Sequence, residues 1–394
     1  MLGAIGPGLI TAAVVLGPGS VTVASKSGAL MGCTVLWALA AAAGMMITFT
    51  CFGAKIGMMA EHSLLTTAAQ RYGRWVAVLI GLAACFICAG FQTGDNVGVG
   101  IALAEMFGGK MEIWAIFFTL VSLALLWGPK KLYRPLEIWM VALVAVMIFS
   151  FVANMFRIHP SAGQIALGFV PSVPAVPGLV VALSATTFSV AAAAFQSYLV
   201  RAKGWTKCEM EKGVRDSIIG IAVLAGISAV IIITAATVLK PQGIKVQSAF
   251  EMARQLEPLL GPMAKWMFLS GLWAAAFSSF IVNAMVGGTL LADGLGIGAT
   301  LDSFWAKVFA SGIMALGTVA AILFGQNPIN LLVLAQGTTI LGVPLIAVVM
   351  WIMTNDRHVV GDRRNGWLAN ILAAASVGWL LYLSFWQTMQ FLRP

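Results

Sequence analysis

Charge is what this sequence has least of. Only 9% of its 394 residues are Asp, Glu, Lys or Arg, against roughly a quarter in an average soluble domain. That scarcity excludes a soluble enzyme and a disordered chain alike. Histidine is rarer still: His62, His159 and His358 all fall in expected loops, so a proton relay through a membrane interior has no imidazole to use. No G-x-x-x-x-G-K-[ST] occurs, which removes a P-loop ATP-driven pump. Five cysteines are too few for a disulfide scaffold. The one C-x-x-C, Cys85 to Cys88, lies in an apolar run, where a redox or zinc role lacks polar support and core packing is expected. No catalytic constellation is apparent, so neither an enzyme nor a bound cofactor is expected.

What is present is apolar sequence, 60% of the chain. Runs of 18 or more residues recur, as transmembrane helices require. Outer-membrane strands alternate polar and apolar in segments of about ten residues, a pattern not seen here. The expectation is an all-α polytopic membrane protein of about eleven transmembrane helices, since helices satisfy their own backbone in lipid. The spans are placed at 7–30, 32–57, 74–105, 111–128, 132–153, 176–200, 214–239, 262–291, 303–324, 328–353 and 366–390. The net charge of +9 sits in short loops between spans rather than on one face, which points away from nucleic acid and towards a lipid bilayer. With the N-terminus inside, fifteen of the 23 Lys and Arg fall on the inner side and eight on the outer. Positive-inside logic therefore favours the inner (plasma) membrane of a cell with a cytoplasmic N-terminus. So many spans without a soluble domain point to transport.

Two spans look interrupted. The first carries Gly17-Pro18-Gly19-Ser20 in its middle. Proline removes a backbone donor and glycine relaxes the chain. The sixth carries Ser189-Val190-Ala191-Ala192-Ala193-Ala194-Phe195-Gln196-Ser197, a run of small residues. Spans one and six are equivalent in two five-helix repeats, and matching interrupted segments in two halves point to a substrate site.

The chain resembles the NRAMP family of divalent-metal transporters over nearly its whole length. Gly6-Pro7-Gly8 resembles the family's first-helix start, and Gly17-Pro18-Gly19-Ser20 falls on its D-P-G-N break. Gln92 to Gly108 resembles the third helix, Gly271 to Gly296 the eighth, and Leu331 to Gly361 the tenth with its following loop. The resemblance implies the LeuT-type fold: one transporter domain over 1–394, with inverted repeats at about 7–153 and 176–353, broken helices one and six, and an extra helix at about 366–390. It also implies that the metal ligands Asp and Asn of helix one are replaced by Gly17 and Ser20. The helix-six M-P-H run is replaced by Ala193, Ala194 and Phe195. Of two acidic positions on helix three, one becomes Gln92 and the other stays as Asp95, and the arginines of helix nine are absent. A chain with these losses is similar to the NRAMP-related magnesium transporter (NRMT) branch.

A site without thioether or helix-one carboxylate loses its filter for soft transition metals. It suits Mg²⁺, which gives up water reluctantly, and possible Mn²⁺ passage goes with it. Expected contacts are Ser20, Gln196, Gln336 and Asn96, with carbonyls near Val14, Gly17 and Val190. Asp95 supplies the negative charge, because an ionisable residue inside a span marks function by default. Ser278, Ser279 and Asn283 share a helix face and are expected to join helices. With most titratable groups gone, uptake is expected to run without proton coupling. The competing reading is a secondary transporter of a small organic solute such as an amino acid or carboxylate, bound at the half-helix end beside Gly17 and Gly19.

Overall fold

The computed structural model describes residues 6–392, and among them it is built from helices with no strand. The order is α1 (Pro7–Val15), α2 (Pro18–Met31), α3 (Leu36–Met59), α4 (Leu64–Tyr72), α5 (Arg74–Phe107), α6 (Met111–Trp127), α7 (Lys130–Ile158) and α8 (Ala162–Gly168). It continues with α9 (Pro177–Thr187), α10 (Val190–Ala202), α11 (Met210–Val238), α12 (Ala249–Ala253), α13 (Glu257–Leu260) and α14 (Ala264–Leu295). The last are α15 (Phe304–Phe324), α16 (Pro328–Thr338), α17 (Val343–Asn355), α18 (Arg357–Val360) and α19 (Trp367–Leu392).

Nine runs of helix among the described residues are long and apolar enough to cross a bilayer, and α6 adds a shorter apolar helix. One of the nine, Pro18–Met59, is two rods. Gly8 in α1 lies against Asp216 near the start of α11, while Met31 at the end of α2 accepts a hydrogen bond from Lys240 just past the end of α11. Met58, at the end of α3, packs on Gly213 near the start of α11. Thus α1–α2 and α3 run in opposite directions, and the chain reverses at Gly32, whose φ of 71° is open to glycine. Counted this way there are eleven rods: α1–α2, α3, α5, α6, α7, α9–α10, α11, α14, α15, α16–α17 and α19. Their ends fall within a few residues of the limits read from the sequence.

Three rods are interrupted, one more than expected. Proline opens α1, α2, α9 and α16 at their first position, where its missing N–H costs nothing. Rod ten tightens into a 3₁₀ turn over Thr339–Gly342 before α17, ahead of Pro344 at that helix's second position.

Lipid tails are as apolar as leucine, so packing and hydrogen bonds rather than water exclusion join these helices. Helices α5 and α14 share the largest interface. Helices α3 and α10 meet so closely that a Cβ on Gly53 would lie 2.0 Å from the Ala193 carbonyl, and one on Gly57 2.4 Å from that of Ser197. Only glycine fits at those two positions, which fixes α10 against the scaffold. Cys88 is buried and Cys85 half-buried, both free thiols, with Cys88 packed against Gly287.

Candidate functional site

The first break follows from local chemistry. Residue 18 would be the helical donor to the Val14 carbonyl, and proline has no N–H. The next carbonyl, Val15, is filled twice: by Gly17 N–H at 2.9 Å and by Ser20 Oγ at 2.7 Å. So Ser20 caps the end of α1, while Val14 keeps an oxygen without its helical partner beside the cavity it lines.

The second break lies at the very start of the run singled out in the sequence, not in its alanines. Residues Ala191–Ala194 are continuous helix within α10, and the interruption is at Phe188-Ser189, ahead of them. Alanine is the best helix former, so a run of four extends a helix instead of opening one. Ala193 consequently turns its carbonyl to Gly53 of α3. Val190 is buried as the first residue of α10, and it is its neighbour Ser189 that lines the cavity.

Between the two breaks, α5, α14 and α16 enclose a cavity of about 10 Å³, at the limit for one water molecule. Of the contacts expected from the sequence, Val14, Gly17, Ser20, Asp95 and Gln336 come together around it, with Val15, Gly19, Phe91, Ser189 and Asn283 completing the lining. Asp95 is 2% exposed and accepts from Asn283 Nδ2 through Oδ2 at 2.8 Å. The Gln336 amide threads between two glycines: a Cβ on Gly19 or Gly94 would come within 2.3 or 2.5 Å of its Nε2.

Two expected polar residues face away. Asn96 points into the α5–α6–α15 contact, where it donates to the Gln92 carbonyl and accepts from Thr119 and Thr318 at 3.0 and 3.1 Å. It follows Asp95 by one residue and so is turned about 100° around the helix. Gln196 sits where α10 meets α1 and α11. Its nitrogen faces the Pro7 carbonyl and Thr11 hydroxyl, and its oxygen accepts from Ser217 Oγ at 3.2 Å and Gly8 N–H at 3.3 Å. Both amides are satisfied within the bundle.

Asp95 is not alone among buried carboxylates. Asp293, two residues beyond the span limit read from the sequence, is wholly buried at the end of α14. It accepts from Thr66 Oγ1 at 2.6 Å, Leu65 N–H at 3.2 Å and the Tyr198 hydroxyl. Among the described residues no group of three His, Cys, Asp or Glu converges as a conventional metal ligand set. The cavity offers one carboxylate, hydroxyls, amides and backbone oxygen. Asn283 and Ser189 were not named as contacts; the Ser279–Asn283 spacing of four on one face of α14 was the signal for the first, and the place of Ser189 at the head of the small-residue run the signal for the second.

The sequence profile described as natural resistance-associated macrophage protein-like (Nramp) matches residues 8–390. The divalent metal cation transporter MntH of Deinococcus radiodurans is 26% identical over 397 residues, covering 96% of this chain and 89% of that protein. MntH of Bacillus subtilis is 23% identical, covering 96% and 88%. The fold is similar to that of the Eremococcus coleocola manganese transporter, crystallised with an aromatic bis-isothiourea compound, at a TM-score of 0.80 and 17% identity over 97% of this chain and 85% of that one. It is similar also to Mhp1, a nucleobase-cation-symport-1 family transporter, at a TM-score of 0.60 and 12% identity over 98% and 93%.

Proposed function

This chain belongs to the Nramp family, and on that premise we propose that it is a membrane transporter that takes up Mg²⁺, with Mn²⁺ as a second cargo, in largely hydrated form. The divalent metal is cargo and not cofactor, and the protein is no enzyme. The observation that carries the choice of Mg²⁺ is the lining of the cavity between the breaks. Its side chains offer oxygen donors and one buried carboxylate, Asp95, without sulfur or imidazole. Mg²⁺ takes oxygen ligands and keeps several waters, whereas thioether and imidazole donors favour softer metals. The Asp95 charge and the closeness of the walls both oppose the alternative cargo, an organic acid.

A cavity of about 10 Å³ is too tight for an ion carrying its waters, so the bundle opens to load. A pocket of about 940 Å³ lies at the end of α2, lined by Lys26, Asn327 and Asn330, and reaches Gly337, the neighbour of Gln336. In the opposite direction, Arg201 in α10 donates to the Ala60 and Glu61 carbonyls and Tyr198 to Asp293. With the N-terminus in the cytoplasm of the inner membrane, the wide pocket is the outer entry and the Tyr198–Asp293 end the inner gate. The two repeats, about 7–153 and 176–353, rock around the breaks in alternating access.

No proton coupling is proposed. Gln92 is neutral and wholly buried, and the Asn96–Thr119–Thr318 cluster beside it is neutral too. The test is uptake into proteoliposomes with Mg²⁺, Mn²⁺, Ca²⁺ and an amino-acid panel, with an internal pH dye. Mg²⁺ entry without lumenal acidification is the expected result. Acidification that depends on Mg²⁺ overturns the uncoupled reading, and entry of an amino acid in place of cations overturns the cargo.

A further inference from the structure

We infer that Ser279 on α14 is a further cargo-contacting residue, and that the cation sits on the α5–α14 side of the cavity, between Ser279 and Asp95, in the gap beside Gly17. The inference rests on the divalent-cation reading above and adds a residue and a position to it.

Three observations meet at this point. The Ser279 hydroxyl is 1% exposed and has no hydrogen-bond partner among the described residues. A buried hydroxyl left without a partner carries an unrelieved desolvation cost. Other buried hydroxyls of the bundle lack partners too, Thr50 and Thr289 among them; what sets Ser279 apart is its place. A Cβ built on Gly17 would lie 3.4 Å from Ser279 Oγ and 3.4 Å from Asp95 Oδ1. The two oxygens therefore face one point and are no more than twice that distance apart. Finally, Asn283, one turn further along α14, takes Asp95 Oδ2 at 2.8 Å and leaves Oδ1 towards Gly17. Asn283 is thus a positioning residue: it turns the free oxygen of the carboxylate to the side where Ser279 waits.

The missing side chain at Gly17 makes the room, the carboxylate supplies charge, and the hydroxyl meets either the ion or one of its waters. Ser278 is the natural control. It precedes Ser279 yet donates to the Ala275 carbonyl at 3.0 Å and lines an apolar pocket between α1, α7 and α11.

The experiment is uptake of Mg²⁺ and Cd²⁺ by the full-length protein and its Ser279→Cys, Ser279→Ala and Ser278→Cys variants in proteoliposomes, with folding checked by elution profile. A thiol at a contact position favours the softer ion. Ser279→Cys is expected to raise the Cd²⁺-to-Mg²⁺ uptake ratio by about tenfold or more, and Ser279→Ala to raise KM for Mg²⁺ about fivefold with little change in kcat, as loss of one hydrogen bond predicts. Ser278→Cys should leave the ratio unchanged. An unchanged ratio in Ser279→Cys, or an equal rise in Ser278→Cys, overturns the inference while wild-type Mg²⁺ uptake keeps the transport reading standing. If cysteine prevents folding at 279, the KM of Ser279→Ala decides: unchanged KM overturns it. A wild type that carries no divalent cation removes both readings.

Discussion

The carboxylate of Asp95 is bonded on one side and open on the other, and that asymmetry sets what its replacement does. Asn at 95 keeps the shape and loses the charge. Losing a charge-assisted contact costs about 1.5–3 kcal/mol, so Asp95→Asn should weaken apparent Mg²⁺ affinity roughly tenfold to a hundredfold at normal expression, measured as KM for uptake. Asn96, its neighbour, should behave in the opposite manner. It joins α5 to α6 and α15 through Thr119 and Thr318. Thr318→Val should cost about 0.6–1.7 kcal/mol, the range for hydrogen bonds between membrane helices. A lower melting temperature in detergent with unchanged KM is the expected pair of readings. The sequence could place Asp95 because a charge inside a span stands out against its background. It could not separate Asn96 from Asp95, since adjacent polar residues on a helix look alike until their neighbours are known. Gln196 was misplaced for the same reason: a rotation about α10 decides whether it faces the cavity or Thr11, and a run of small residues gives no rotational cue.

Helix ends legible in the sequence were those that the bilayer enforces. An apolar run must be long enough to cross, so the rods stand where expected. Breaks were legible to the residue where proline and glycine marked them, and only to the neighbourhood where small residues did. Phe188-Ser189 contains neither glycine nor proline, so no local breaker marks the opening there. In rod ten the clue was Gly342 followed by Pro344, overlooked within a strongly apolar run. Two fastenings between elements carry their own predictions. Tyr198 in α10 donates to Asp293 in α14, which α4 also holds. Tyr198→Phe removes a bond worth about 0.5–1.5 kcal/mol, so a Val200→Cys probe, buried against Gly57, should react with a water-soluble maleimide several times faster. Unchanged reactivity would show that this end is not a gate. The second fastening ties α4 to the start of α18. Burial alone would raise the Asp356 carboxyl, but the His358 N–H, the Arg71 guanidinium at 2.7 Å and the Tyr72 hydroxyl outweigh it and hold it below the usual range. In turn, burial and the Asp356 charge push the Tyr72 hydroxyl up to about 12. A carboxyl depressed on folding stabilises fully above its unfolded value near 3.9 and loses that contribution as pH falls through the folded value. The melting-temperature gap between wild type and Asp356→Asn should therefore hold from neutral pH to about pH 5 and close below about pH 4.

For the whole molecule, the uncoupled uptake proposed above leaves the membrane potential as the driving force. A divalent cation gains about 4.6 kcal/mol per 100 mV, twice the value for one charge. That supports accumulation of over a thousandfold without a coupled ion. Mg²⁺ uptake into proteoliposomes should rise with an inside-negative potassium-diffusion potential and collapse when valinomycin and equal potassium abolish it; uptake indifferent to potential would contradict electrogenic entry. A carrier powered in this way has a standing hazard, because any continuous aqueous thread through it would let sodium and potassium run down the same voltage. The single-water space between the two breaks answers that hazard. At about 10 Å³ that space is a constriction and not a pore. On the alternating-access proposal, each passenger prises the walls apart for itself, so leakage would be limited by how seldom the bundle yawns unprompted, and the cell's electrical insulation would survive having this door in it.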